Sequence, residues 1–312
     1  MAVLLISEYG FDPHLLRDGL STNEGAVEVR VWPDAGDPNG IEAIVTDVPV
    51  HHKASYRSFR RLRWVCFLGH GVGDVLNDPD LPADVFVSGL TDPDIIAGLT
   101  EYVIAAVTRH HMRHEEYAEL QRRRQWCRLS VPPASTVTVA VLGLGRIGAH
   151  AARTLADIGF RVLGWSRSPK TIPGIASMHG DDALQHVLAQ ADQIVSILPE
   201  TSRTRGLLNR DRLAKAKRGA FLINVGRGSA VVESDLLDLL DSGQIAGACL
   251  DVTVSEPLDP ESPLWLHPKV VLTPHTGGAG GDGHKVEAIA RDFQRVRRGV
   301  APLNAANRER GY

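Results

Sequence analysis

Val137-Thr138-Val139-Ala140-Val141-Leu142-Gly143-Leu144-Gly145-Arg146-Ile147-Gly148 reads as a buried strand that turns through three glycines into a helix. The β-branched and apolar run before the first glycine suits a strand covered on both faces. Gly143 permits the tight turn, Gly145 lets backbone approach a pyrophosphate closely, and Gly148 lets the helix pack on the strand. Amides at the start of that helix have no partner one turn back, so they can face an anion. A bare glycine pattern is weak evidence. The strand before it and the helix after it, running to about residue 157, supply the context it needs.

The same rhythm extends in both directions. Downstream, strands are predicted at 161–165, 193–198, 220–224, 247–250 and 270–272, with helices near 182–190, 211–216 and 233–240. Upstream, strands are predicted at 3–7, 27–31, 43–46 and 64–68, with helices near 12–20 and 55–62. Alternation of this kind argues for parallel sheets flanked by helices. A longer helical pattern runs from 93 to 120 and ends near Arg122-Arg123-Arg124; Pro132-Pro133 then breaks the chain. One crossing between domains is placed in that helix. A last helix, 284–298, has no seat beyond a sixth strand and is expected to return to the first domain. The fold class is therefore α/β: two Rossmann-like or flavodoxin-like domains with parallel sheets and the active site in the interdomain cleft. Their predicted extents are 1–100 plus 284–312, and 101–283.

Composition excludes several classes. With 312 residues, 43% hydrophobic, 23% charged and a net charge of −3, the chain has length for two cores and no electrostatic case for nucleic acid or anionic membrane. Cys66, Cys127 and Cys249 are odd in number and lack CxxC spacing, and are expected to be small buried hydrophobes in a reducing compartment. The N-terminus lacks a signal-peptide pattern and no apolar run approaches membrane-spanning length. A cytoplasmic protein is expected. His110 and His114 are four apart on one predicted helix face, but no third ligand or HExxH pattern accompanies them, so no metal is assigned. The arginine clusters at 122–124 and 291–298 are read as solvated faces or dimer-edge charges rather than nucleic-acid patches.

Two further patterns carry chemistry. The strand after the glycine loop ends in Trp165-Ser166-Arg167-Ser168. An NAD site would carry an acid there for the ribose 2′-hydroxyl; Ser166, Arg167 and Ser168 would instead bind a 2′-phosphate, which favours NADP(H), with NAD(H) as the alternative. Arg227 follows a strand end, Glu256 comes 29 residues later and His275 19 after that. An arginine can grip a carboxylate and a carbonyl together, a histidine can supply a proton, and a glutamate can hold that histidine charged. A nucleotide loop followed by this trio is what reduction of a small 2-oxo acid requires.

Together with Leu198-Pro199, Thr201 and Thr204, Asn224–Gly228, the 247–258 segment, and Ser262-Pro263-Leu264-Trp265 leading to His275, these motifs resemble the D-isomer-specific 2-hydroxyacid dehydrogenases over about residues 64–298. Within that family the serine-arginine-serine turn is most similar to the NADPH-preferring glyoxylate/hydroxypyruvate reductases, and Trp126 and the Thr100-Glu101-Tyr102-Val103 helix are compatible with them. The resemblance implies that Arg227 binds the substrate carboxylate and polarises the 2-carbonyl. It implies that His275 donates a proton and that Glu256 bonds the other ring nitrogen. Asp251 would bond the nicotinamide carboxamide, Val225, Gly226 and Gly277 would line the ring pocket, and Arg146 and Ile147 would cover the pyrophosphate. Leu144, Leu198, Pro199 and Thr204 join the implied cofactor contacts. From the first domain, the substrate-binding one, Leu68-Gly69-His70-Gly71-Val72-Gly73 matches the loop whose amides hold the substrate carboxylate, giving His70, Gly71 and Val72 as candidates.

Departures from the family pattern are His70 for a small residue, Gly73 where an acid is common, Thr253 where an aromatic is frequent, Glu200 after Pro199, and the glycine-rich 277–283. They bear on substrate size and loop closure. Glu256 argues against a formate dehydrogenase, which carries glutamine there, and the missing acidic NAD signal argues against phosphoglycerate dehydrogenase. Another family dehydrogenase using NAD is the nearby alternative, and a nucleotide-sensing, corepressor-like binding protein on the same scaffold is the alternative from another class. The resemblance suggests a homodimer joined through the cofactor domains.

Overall fold

The computed structural model describes residues 2–21, 27–69, 71–90, 93–278 and 282–309. The chain divides into two compact units, Met1–Ile95 with Gly280–Tyr312, and Ile96–Ala279.

The first unit begins with β1 (Ala2–Ile6), α1 (Pro13–Leu20), β2 (Glu28–Val31), β3 (Ile41–Thr46), β4 (Trp64–Phe67), α2 (Gly73–Leu76) and β5 (Phe86–Gly89). Its five strands are all parallel in the order β2-β1-β3-β4-β5, the flavodoxin-like winding. Alternate residues of β1 enter opposite layers. Val3 and Leu5 pack with Leu16, Trp64 and Cys66, whereas Leu4 and Ile6 pack with Ile44, Tyr56 and Val65. Both faces of β1 are therefore covered, which is why it reads as an unbroken apolar run, whereas the edge strand β2, Glu28-Val29-Arg30-Val31, alternates.

The second unit contains α3 (Pro93–His111, whose first residues precede the division), α4 (His114–Arg122), β6 (Thr138–Leu142), α5 (Arg146–Ile158), β7 (Arg161–Ser166), β8 (Ala176–His179), α6 (Asp181–Gln190), β9 (Gln193–Ser196), α7 (Arg210–Leu213), β10 (Ala220–Asn224), α8 (Glu233–Asp241), β11 (Ile245–Leu250) and β12 (Val270–Leu272). Seven parallel strands lie in the order β12-β11-β10-β9-β6-β7-β8. The order reverses between β6 and β9, the Rossmann switch point, outside whose carboxyl ends ligands of such sheets bind.

A last helix, α9 (Asp282–Arg297), belongs to the first unit and packs on α1. The approach is close: a Cβ on Gly19 would stand 1.9 Å from Val286 Cγ1. Ile289 and Phe293 complete the same core layer as Trp64.

Several expectations need correction. The predicted helix at 55–62 is a single 3-10 turn, Tyr56–Ser58, followed by further turns. Tyr56, Phe59 and Leu62 are all buried, and turns spaced by three produce the same apolar periodicity as a helix. The long helix at 93–120 is two helices, because Arg113 adopts a left-handed backbone (φ 60°) that ends the first. That break removes the shared face inferred for His110 and His114. His110 instead stacks on Phe221, with ring centroids 3.9 Å apart. β8 is an additional strand at the sheet edge, half exposed and without apolar alternation. Cys66 and Cys249 are buried, but Cys127 is exposed. Arg122 and Arg123 form ion pairs with Glu119 on the surface of α4. Among the described residues, no helix is long and apolar enough to cross a membrane, and no group of three or more His, Cys, Asp or Glu could hold a metal ion.

Candidate active site

The candidate residues of the second unit follow the carboxyl ends of consecutive strands. Along the sheet these are His275 after β12, Asp251 and Glu256 after β11, Val225, Gly226 and Arg227 after β10, and Leu198 and Pro199 after β9. The glycine loop after β6 and Ser166–Ser168 at the end of β7 complete the series. Parallel strands all point one way, so residues far apart in the chain share one edge.

The glycine loop owes its residues to two different demands. Gly143 has φ +105°, and a Cβ there would stand 2.6 Å from the carbonyl oxygen of Ile197; a Cβ on Gly148 would stand 1.8 Å from that of Gly143. Those two glycines are required by the protein's own backbone. A Cβ on Gly145 would meet nothing within 4 Å among the described residues, so no packing among them requires glycine there. A pyrophosphate approaching the amides at the start of α5 accounts for it, and the loop therefore fits a dinucleotide. Leu144 is buried, its side chain against Gly164. Arg146 is exposed and Ile147 half-buried at the helix start.

At the end of β7, no acid is present. The Ser166 hydroxyl donates to the Ser168 carbonyl at 2.8 Å and is buried. Its proton is thus used inside the turn, whereas Arg167 and Ser168 beside it are exposed. Leu198 is buried, and Thr204 donates to the Pro199 carbonyl (2.6 Å) while accepting from the Thr201 amide (2.9 Å), so Thr204 shapes its own loop. Glu200 ion-pairs with Arg205.

Around β10, the fully buried Asn224 accepts from the Gly226 amide at 3.3 Å and donates to the Arg227 carbonyl at 3.1 Å. It folds the chain so that Arg227 emerges half-buried, with Nη1 donating to the Gly226 carbonyl at 2.8 Å. Gly226 and Gly228 are needed for close approach: a Cβ on Gly228 would lie 2.0 Å from the Thr253 carbonyl group.

His275 Nδ1 lies 2.7 Å from Glu256 Oε2. Burial would push the Glu256 carboxyl up. The hydrogen bond and charge of His275, the Thr253 amide and the Arg227 charge outweigh it and hold the group below the ordinary carboxylate value. Arg227, Glu256 and His275 are thus brought together electrostatically within one unit. His275 itself has φ 53°, a left-handed conformation that His adopts more readily than most side chains.

Asp251, 1% exposed, organises the His275 segment. Its carbonyl accepts the His275 amide (2.8 Å), Oδ1 accepts from the Thr273 hydroxyl (2.6 Å) and the Thr276 amide (2.8 Å), and Oδ2 accepts the Gly277 amide (2.8 Å). Asn224, Thr273 and Thr276 hold the candidate residues in place, yet sequence reasoning assigned them no role. The available signal, for Asn224 and Thr273, was a polar residue at the end of an otherwise apolar strand. In the first unit, Val72 is buried in the core just before α2, and Gly71 beside it is half-buried. His70 lies outside the described residues.

Residues 104–277 match the family described as D-isomer specific 2-hydroxyacid dehydrogenase, NAD binding domain. The chain is 35% identical over 299 residues to a glyoxylate/hydroxypyruvate reductase A of Serratia proteamaculans, covering 94% of this chain and 95% of that one. Among solved structures, it resembles a D-isomer-specific 2-hydroxyacid dehydrogenase from Xanthobacter autotrophicus Py2 in complex with NADPH and MES (TM-score 0.91, 36% identity, 99% of both chains). It also resembles an NADPH-dependent glyoxylate/hydroxypyruvate reductase from Sinorhizobium meliloti in complex with NADP and sulfate (TM-score 0.89, 33% identity, 100% and 99% of the two chains). With the glycine loop, the trio and these matches taken together, the chain belongs to the D-isomer-specific 2-hydroxyacid dehydrogenase family.

Proposed function

We propose that the protein reduces the 2-carbonyl of a small 2-oxo acid, of the glyoxylate or hydroxypyruvate kind, with NADPH to give the D-2-hydroxy acid. The observation that carries this reading is the 2.7 Å contact of His275 Nδ1 with Glu256, whose carboxyl is held charged partly by Arg227. Glu256 takes the Nδ1 proton in hydrogen bonding, which leaves Nε2 as the atom that gives its proton to the 2-oxygen. Arg227 offers a planar fork to the substrate carboxylate and the carbonyl oxygen. NADPH, when bound, supplies the hydride to carbon 2. Asp251 retains acceptor capacity on Oδ2 for the nicotinamide carboxamide beside the Gly277 amide. Val225, Gly226 and Gly277 would line the ring, and Arg146 and Ile147 would cover the pyrophosphate. The names of the Serratia and Sinorhizobium relatives and the NADPH or NADP in the two solved structures support the same reading.

Purified protein mixed with NADPH and glyoxylate or hydroxypyruvate should consume NADPH absorbance. Absence of turnover across a panel of 2-oxo acids would sink the reading. Cofactor choice is tested by Arg167→Ala, which should raise the KM for NADPH by about one to two orders of magnitude, the worth of a charge-assisted bond. NADH use should stay nearly unchanged. A symmetrical effect on both cofactors would remove the phosphate role.

The protein is further proposed to act as a cytoplasmic homodimer joined through its cofactor units. Three free cysteines suit a reducing compartment. α4 buries none of its residues, and Trp126 beyond it is fully exposed. An aromatic so presented is the kind of residue that interfaces cover. A single-chain mass in sedimentation would overturn the dimer.

A further inference from the structure

We infer that Tyr102 is a positioning residue for the reduction, acting through Thr273 and Asp251 on the segment that carries His275; this rests on the reading of His275 as proton donor. The Tyr102 hydroxyl lies 2.6 Å from Thr273 Oγ1 and 3.3 Å from Cys249 Sγ. Thr273 Oγ1 in turn donates to Asp251 Oδ1 at 2.6 Å. A threonine has one hydroxyl proton, and here the carboxylate takes it. Thr273 can therefore only accept from Tyr102, and the Tyr102 oxygen is left to accept from the Cys249 thiol. The chain of bonds runs one way, from Cys249 through Tyr102 and Thr273 to Asp251, an arrangement in which each bond strengthens the next. Burial pushes the Tyr102 phenol up, so it keeps the proton it donates.

Asp251 is where the segment converges. Donors from Thr273, His275, Thr276 and Gly277 all end on it. α3, which carries Tyr102, also packs against the other end of the same segment: a Cβ on Gly277 would lie 2.7 Å from Leu99 Cδ1, and one on Gly98 would lie 3.5 Å from Gly278 Cα. His275 sits between these two attachments in its left-handed conformation. Removing the Tyr102 hydroxyl leaves a lone pair of Thr273 without its donor and loosens the orientation of the Asp251 carboxylate, while the ring and its packing remain.

The test compares Tyr102→Phe, Thr273→Val, their combination and Thr273→Ser. Tyr102→Phe should lower kcat about fivefold to tenfold, the worth of one well-placed hydrogen bond, with the KM for NADPH changed less than about twofold. Its Tm should stay within about 2 °C. Thr273→Ser keeps the hydroxyl and should keep wild-type turnover. In the Thr273→Val background, Tyr102→Phe should add no further loss, because both changes break one chain. In the protein without cofactor, amide exchange at Thr276 and Gly277 should quicken in Tyr102→Phe about tenfold. Unchanged kcat and exchange in Tyr102→Phe, multiplying losses in the double variant, or a fall in kcat matched by a large fall in Tm would each overturn the role. An inactive wild type would sink the reductase reading and this role with it, whereas an active wild type beside an unaffected Tyr102→Phe would sink this role alone.

Discussion

His275→Asn is expected to cut kcat by about two to four orders of magnitude, the range for losing a positioned general acid. NADPH affinity, followed by fluorescence titration, should hold within about twofold, because the residue acts on the substrate oxygen rather than on the phosphates. Asparagine is the informative replacement. His275 has φ 53°, and asparagine tolerates left-handed backbone better than alanine or glutamine would. The backbone bonds of His275 to Asp251 and Thr273 can then persist, so a fall in turnover reports the lost proton donor rather than a collapsed loop. Equal losses of turnover and cofactor affinity would show that the segment had been disrupted and would remove the proton-donor assignment.

Arg227→Ala is the second large effect. Two charge-assisted bonds to one substrate, each worth about 1.5–3 kcal/mol, correspond to a drop of roughly two to four orders of magnitude in kcat/KM. The loss should appear in both KM for the 2-oxo acid and kcat, since the guanidinium is proposed to hold the carboxylate and to polarise the carbonyl. Arg227→Lys keeps the charge that acts on Glu256 but loses the planar fork, and should recover only a small part of the loss. Full activity in Arg227→Lys would mean that charge alone matters and that the two-pronged contact is wrong. Asn224 and Gly228 shape the turn around Arg227, so the change is confined to the side chain.

The legible parts of this protein share a physical character. The glycine loop is legible because two of its glycines answer local needs, a positive φ at Gly143 and the contact of Gly148 with the Gly143 carbonyl, and Gly145 completes the spacing that a dinucleotide asks for. Most strands of both sheets are legible because burial on both faces demands continuous apolar residues. The edge strand β8 is not, because solvent relaxes that demand. The turns around Tyr56 imitate a helix because their repeat of three falls close to the helical one. The break at Arg113 carries no glycine or proline to announce it.

The sequence by itself determined that two parallel α/β sheets form, that a dinucleotide loop follows β6, and that an arginine, a glutamate and a histidine stand after strand ends. Those features depend on neighbours in the chain or on periodicity along one element. Only the tertiary structure decided that Glu256 meets Nδ1 of His275, that the Ser166 hydroxyl turns into its own loop, and that Asp251 gathers the His275 segment with Tyr102 behind it. Tyr102 and Thr273 are 171 residues apart. No local pattern encodes such a pair, because a residue on α3 and one just past the end of β12 meet only once that helix has packed against the face of the sheet.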